Sequence, residues 1–85
     1  MKTFEYTITV SNGLHARPAG LLVRKAQDFD CEITLRCGEK EASLKKLLAV
    51  MGLGVRKGDI VTVEIVGKND ERCAVELKRF FEENL

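Results

Sequence analysis

The stretch Ser11-Asn12-Gly13-Leu14-His15-Ala16-Arg17-Pro18-Ala19 constrains the fold most. Before it, Phe4, Tyr6, Ile8 and Val10 alternate with Glu5, Thr7 and Thr9, the pattern of a strand with one buried face. Asn12-Gly13 ends that strand as a turn signal. A hairpin needs a second alternating run straight after the turn, and none follows. Instead Pro18, the only proline, opens a helical pattern with Ala19, Leu22, Val23, Ala26 and Phe29 on one stripe. The first connection therefore runs from strand to helix, so helices must cover one face of the sheet.

Proline suits a first helical turn, where its missing N–H lacks an intrahelical partner anyway. The preference of a residue before proline for extended backbone starts the helix at Pro18 rather than Ala16. The residues leave that boundary open between the two. Gly20 inside the helix costs roughly 1 kcal/mol against alanine. It reads equally as tolerance or as room for a partner's surface beside the site.

Cys31, Ile33, Leu35 and Cys37 alternate with Glu32, Thr34 and Arg36 as a second strand. Gly38-Glu39, with glycine first, suits a type II′ turn. Lys40 to Ser43 then makes a short third strand whose charges suit a sheet edge. From Leu44 to Leu53 a short helix is apolar nearly all round. Either it is wholly buried or one apolar side is exposed, and such a patch marks a partner site. Gly52, Gly54 and Gly58 punctuate the loop that follows. Ile60, Val61, Val63, Ile65 and Val66 form the most apolar strand, suited to the sheet centre. Asn69 or Asp70 caps the last helix. Ala74, Leu77, Phe80 and Phe81 are its core stripe with Cys73 beside them, and Glu76, Lys78, Arg79 and Glu82 are expected to face solvent. The order strand, helix, strand, strand, helix, strand, helix gives a two-layer α+β domain, with helices on one face of a mostly antiparallel sheet.

Residues 1–85 read as one domain with a thin core. A net charge of +1 gives no general pull toward nucleic acid or membrane, so recognition must come from a local patch. Three cysteines without a Cys-x-x-Cys argue against a disulfide framework or a zinc site. They read as small buried hydrophobes in a reducing compartment. Met1 to Tyr6 does not resemble a signal peptide, and no run approaches membrane-spanning length. A cytoplasmic protein, not embedded in a membrane, is the expectation.

The chemistry gathers at His15, the only histidine. It follows a turn and directly precedes a helix start, beside the unpaired N–H groups of the first turn. Those donors and the helix dipole favour an anion. The same dipole disfavours an imidazolium, and a nucleophilic histidine must be neutral. Arg17 adds a permanent cation whose fork matches phosphate oxygens. Together they suit phosphoryl acceptance by an imidazole nitrogen. A metal lacks companion ligands at suitable spacing, and no nucleophile is designated for His15 to serve as base. The reading needs no cofactor.

Asn12-Gly-Leu-His15-Ala-Arg17-Pro18-Ala resembles the active-site signature of the histidine-containing phosphocarrier family, HPr, of the bacterial phosphoenolpyruvate:sugar phosphotransferase system. Leu44-Lys45-Lys46-Leu47-Leu48-Ala49-Val50-Met51-Gly52-Leu53-Gly54-Val55 resembles the family's second signature, at the right spacing. The resemblance implies an open-faced β-sandwich of four antiparallel strands with three helices on one face. It implies that His15 accepts a phosphoryl group at Nδ1 from phospho-Enzyme I and passes it to a histidine of an EIIA domain of a sugar permease. Arg17 would steady the group. Leu47, Leu48 and Met51 would dock partners, with Arg24 on the same surface. The protein would be a carrier rather than an enzyme, and a monomer is the plain expectation.

Two positions depart from the pattern. Lys46 stands at the family's regulatory serine, so the kinase switch at that residue should be absent. Lysine also cannot accept from backbone N–H, which leaves Ser43 as an alternative helix start. Gly52 stands where many members carry a hydroxyl residue. Two other readings compete with the sugar carrier: a paralogue in a regulatory phosphorelay of the nitrogen type, and an interaction module that carries no phosphate. His15 and Arg17 argue against the second.

Overall fold

A computed structural model describes residues 1–85. One four-stranded sheet holds β1 (Lys2–Thr7), β2 (Glu32–Cys37), β3 (Lys40–Ser43) and β4 (Ile60–Val66) in the order β1-β4-β2-β3. Every pairing is antiparallel. The helices α1 (Ala16–Ala26), α2 (Leu47–Met51) and α3 (Asp70–Asn84) form the second layer. The α+β class, the element order and the interior position of the apolar β4 agree with the sequence reading.

Alternation decides which side of each strand meets the helices. Val61, Val63 and Ile65 of β4 and Ile33 and Leu35 of β2 are buried. They pack against Leu22 and Val23 of α1 and Leu77 and Phe81 of α3 in one continuous core. The Phe81 ring meets Phe4 and Tyr6 edge-on at centroid distances of 5.4 and 5.5 Å, which fastens β1 to α3. The outer sheet face carries no helix. There Arg36 grips Glu64 through Nη1 at 2.8 Å and Nη2 at 3.0 Å, and Nη2 also donates to Glu41 at 2.9 Å. Glu41 and then Glu64 raise the Arg36 pKa.

Several boundaries differ from the expectation. The β1 ladder runs from Lys2 to Thr7 instead of reaching Val10. Beyond it the Ile8 N–H donates to Asp59 O, while the N–H groups of Thr9 and Val10 turn to Leu85 O. Ile8 is still buried, so the alternation outlasts the pairing. The second strand begins at Glu32, its first residue paired with β4, rather than at Cys31. Gly38 has φ +62 and Glu39 is not in the left-handed region, as type II′ requires.

The helix expected over Leu44–Leu53 contracts to Leu47–Met51. The Leu44 N–H donates to Ile33 O at 2.8 Å, continuing the strand side of the chain, and Lys46 N–H closes a turn onto Ser43 O. Ser43 therefore ends β3 instead of starting a helix. At α3 the N-cap is Asn69, but its φ of +62 is left-handed and its side chain makes no cap bond. Sequence reasoning expected a side-chain cap, which needs extended backbone at that residue.

Glu76 is half-buried rather than facing solvent. It accepts from Lys25 of α1 at 3.2 Å and from Arg72 one turn earlier on α3 at 2.9 Å. Arg72, and then Lys25, hold its carboxyl below the usual glutamate range. A depressed folded-state pKa contributes stability above the ordinary value and loses it as pH falls through the folded value. Urea midpoints taken from neutral pH down through the carboxylate range should fall for the wild type. Glu76→Gln should start lower at neutral pH and fall less steeply.

Candidate phosphoryl-acceptor site

The site is a turn held rigid from two sides. Asn12 and Gly13 are consecutive left-handed residues, with φ +66 and +63. Gly13 N–H closes the turn onto Val10 O at 3.1 Å, and Leu14 N–H crosses to Val55 O at 3.0 Å. The approach is so close that a Cβ at Gly13 would lie 2.2 Å from Val55 O and 2.6 Å from Arg56 Cα. On the other side Leu85 O accepts from Thr9 and Val10 N–H at 2.6 and 2.8 Å and from Thr9 Oγ1 at 3.0 Å. The end of α3 thus holds the segment that feeds the turn.

His15 is the N-cap residue of α1, with extended backbone at φ −77, ψ −177. The helix starts at Ala16, so Arg17 is helical although it precedes proline. Closing the first turn outweighs the extended preference: Ala19 N–H reaches His15 O at 3.0 Å. No side chain caps α1, and the N–H groups of Ala16 and Arg17 make no protein hydrogen bond. Pro18 has no N–H to offer. Two donors therefore stay free beside an exposed imidazole, at the positive end of a helix with Arg24 and Lys25 suitably placed in its last turn. Arg17 is exposed and forms no ion pair.

His15 and Arg17 share a shallow cleft of about 220 Å³ with Val10, Pro18, Leu21 and Asn84. The size and the open donors suit a small anion carried on the ring. Asn84 and Leu21 escaped the sequence reading. Nothing local marks Asn84, which enters because α3 returns antiparallel to α1. Leu21 had a readable signal: it is apolar, yet falls off the buried stripe of α1. It is 49% exposed.

Leu47, Leu48 and Met51 are also exposed, Leu48 by 84%, whereas Leu44, Val50 and Leu53 are buried. The apolar segment thus divides between core and surface. α2 packs against α1, whose Arg24 is exposed and without an ion pair. Lys46 is the N-cap residue of α2, at φ −121, ψ 106, with no side-chain cap bond. The substitute fastening is Lys45. Its Nζ donates to Phe29 O just past α1, and its own carbonyl accepts from Gln27 Nε2 at 3.1 Å. Ser43 Oγ accepts from Lys45 N–H at 3.2 Å.

A family model described as "PTS HPr component phosphorylation site" matches residues 2–83. The chain belongs to the HPr family. It is 41% identical over 73 residues to the phosphocarrier protein HPr of Lysinibacillus sphaericus, covering 86% of this chain and 83% of that one. The crystal structure of HPr-C-His from Thermoanaerobacter tengcongensis superposes with a TM-score of 0.94 at 32% identity, covering 99% of this chain and 94% of that one. An HPr structure from Bacillus anthracis gives 0.87 at 26%, covering 94% and 95%. This HPr-family chain is thus a phosphocarrier of the phosphotransferase system, with the open-faced fold that the resemblance implied. No helix is long and apolar enough to cross a membrane.

Three substitutions test the local geometry by urea denaturation. Gly13→Ala should destabilise by about 2 kcal/mol or more, since it adds left-handed strain to a backbone collision. Gly20→Ala should stabilise by up to about 1 kcal/mol, because a Cβ there meets nothing within 4 Å. Lys46→Ser supplies the missing acceptor at the N-cap and should stabilise by about 0.5–1 kcal/mol.

Proposed function

We propose that His15 accepts a phosphoryl group from phospho-Enzyme I and delivers it to a histidine of EIIA domains. The observation that carries this reading is an exposed His15 ring beside two unclaimed helix N–H groups and an unpaired Arg17. The lone pair of the neutral ring nitrogen, Nδ1 by family resemblance, attacks phosphorus as the donor's P–N bond breaks. Delivery reverses the step: the P–N bond to His15 breaks as the acceptor's nitrogen bonds phosphorus. The ring proton stays on the opposite nitrogen throughout. Arg17 and the free N–H groups neutralise the equatorial oxygens, so the protein supplies position and charge rather than covalent activation.

Partner docking is assigned to Leu47, Leu48 and Met51 with Arg24, joined by Leu21 at the cleft edge. Both transfer partners must reach the ring in turn, which favours a monomeric carrier in the cytoplasm. With Lys46 in place of the family serine, the chain has no hydroxyl there for a kinase to phosphorylate.

Incubation with phosphoenolpyruvate and Enzyme I should add one phosphoryl group to the intact mass, labile in acid and absent from His15→Ala. Arg17→Ala should slow the transfer by on the order of 100-fold. Leu48→Asp should raise the KM of the Enzyme I step and leave the lifetime of the phosphohistidine unchanged. ATP and HPr kinase should leave the protein unmodified. Failure of the wild type to gain mass with a cognate Enzyme I defeats the carrier reading.

A further inference from the structure

The molecule has a second chemical feature at the end remote from His15. Cys31 follows α1, and Cys73 sits in the first turns of α3. Both are free and buried, and both belong to the same core cluster. Their neighbours tie both to the segment just ahead of α3. Cys31 Sγ donates to Lys68 O at 2.9 Å, and the N–H of Cys73 donates to the next carbonyl, Asn69 O, at 3.0 Å. Both cysteines are thereby tied to consecutive carbonyls just ahead of α3.

The chain makes room for this arrangement. Gly67, at φ +145, lies against Cys31, and a Cβ there would come within 3.1 Å of Cys31 Cα. Access comes from one side. A cleft of about 420 Å³ opens between the two helices, and Cys31 lines it with Lys25, Phe29, Lys68, Arg72 and Glu76. Cys73 does not line it. Burial above all, and then Cys31, push the Cys73 thiol up to about 11, so at neutral pH it remains protonated. Cys37, the third cysteine, sits at the far end of β2 and takes no part.

We propose that Cys31 and Cys73 form a redox site, with Cys31 oxidised first by a peroxide and Cys73 resolving it to a disulfide between the start of β2 and the first turns of α3. With hydrogen peroxide the Cys31 sulfur attacks one oxygen and the O–O bond breaks. Cys31 becomes a sulfenic acid, and the first water leaves with the thiol proton. The Cys73 sulfur then attacks the Cys31 sulfur. The S–S bond forms, the S–O bond breaks, and the Cys73 proton leaves with that oxygen as the second water. Two thiols have lost two electrons, and one peroxide has become two waters. The disulfide ties α3 to the sheet independently of the phosphoryl chemistry. It spans a long loop, so it should raise the melting temperature.

The test treats the full chain in native buffer with hydrogen peroxide, followed by intact-mass and peptide mapping. The expected result is a loss of two hydrogens, a peptide joining Cys31 to Cys73, a raised Tm, and reversal of all three by a dithiol. Cys37→Ser should behave as the wild type, while Cys31→Ser and Cys73→Ala should each abolish the loss. The wild-type result alone decides the matter if either variant folds poorly. Oxygen adducts without the two-hydrogen loss overturn the proposal. So does a bond through Cys37, or a Cys31–Cys73 bond that forms only in urea.

Discussion

The contact on which the site depends is the press of Gly13 against the backbone of Val55 and Arg56. No side chain fits between them, and Leu14 N–H crosses the same gap to Val55 O. This contact converts a flexible turn into a fixed platform. It sets where the chain leaves the sheet, and hence where α1 begins. Leu85 O completes the support from the opposite side. The loop after α2 and the end of α3 are distant in sequence, yet both exist to the site's benefit as braces. His15 can then be held in place by its backbone alone, leaving its ring unengaged.

Much of this was legible in the residues. Alternation at Phe4–Val10 and Cys31–Cys37 identified two strands and their buried faces, and the apolar run Ile60–Val66 identified a central one. The stripe Ala19, Leu22, Val23 and Ala26 identified α1. The composition of Leu44–Leu53, too apolar for an ordinary surface helix, signalled either full burial or an exposed apolar side, and the structure divides the segment between the two. What escaped reading was non-local. The Ile8–Val10 segment leaves its ladder because acceptors at Asp59 and Leu85 compete for its N–H groups. The pre-proline preference at Arg17 yields to a hydrogen bond that closes the first turn of α1. Glu76 reads as a solvent residue until α1 delivers Lys25 beside it. Asn84 reaches the His15 cleft only because α3 folds back along α1. Each miss is a tertiary contact that overrode a local preference.

The antiparallel pairing of α1 with α3 also separates two chemistries. One end joins the start of α1 to the finish of α3 and carries the exposed ring, the unpaired guanidinium and the free helix donors. The other joins the finish of α1 to the start of α3. It carries the ion pairs of Glu76 and the two adjoining thiols. The body of the core lies between them, so a change at one end need not disturb the other.

The fastening of α2 has a consequence for adaptability. Five residues are far too few for a helix to persist by itself. No side chain caps it, and besides the buried Val50 it is held by the reciprocal grip between Lys45 and the tail of α1. Its opening should therefore be a local event, separable from the sheet ladder and far less costly than global unfolding. Leu47, Leu48 and Met51 ride on this element. Under the proposed docking role, such local opening would let this face adjust to a partner while the turn at His15 stays braced. Tolerance of shape and fidelity of chemistry would then belong to different parts of the chain.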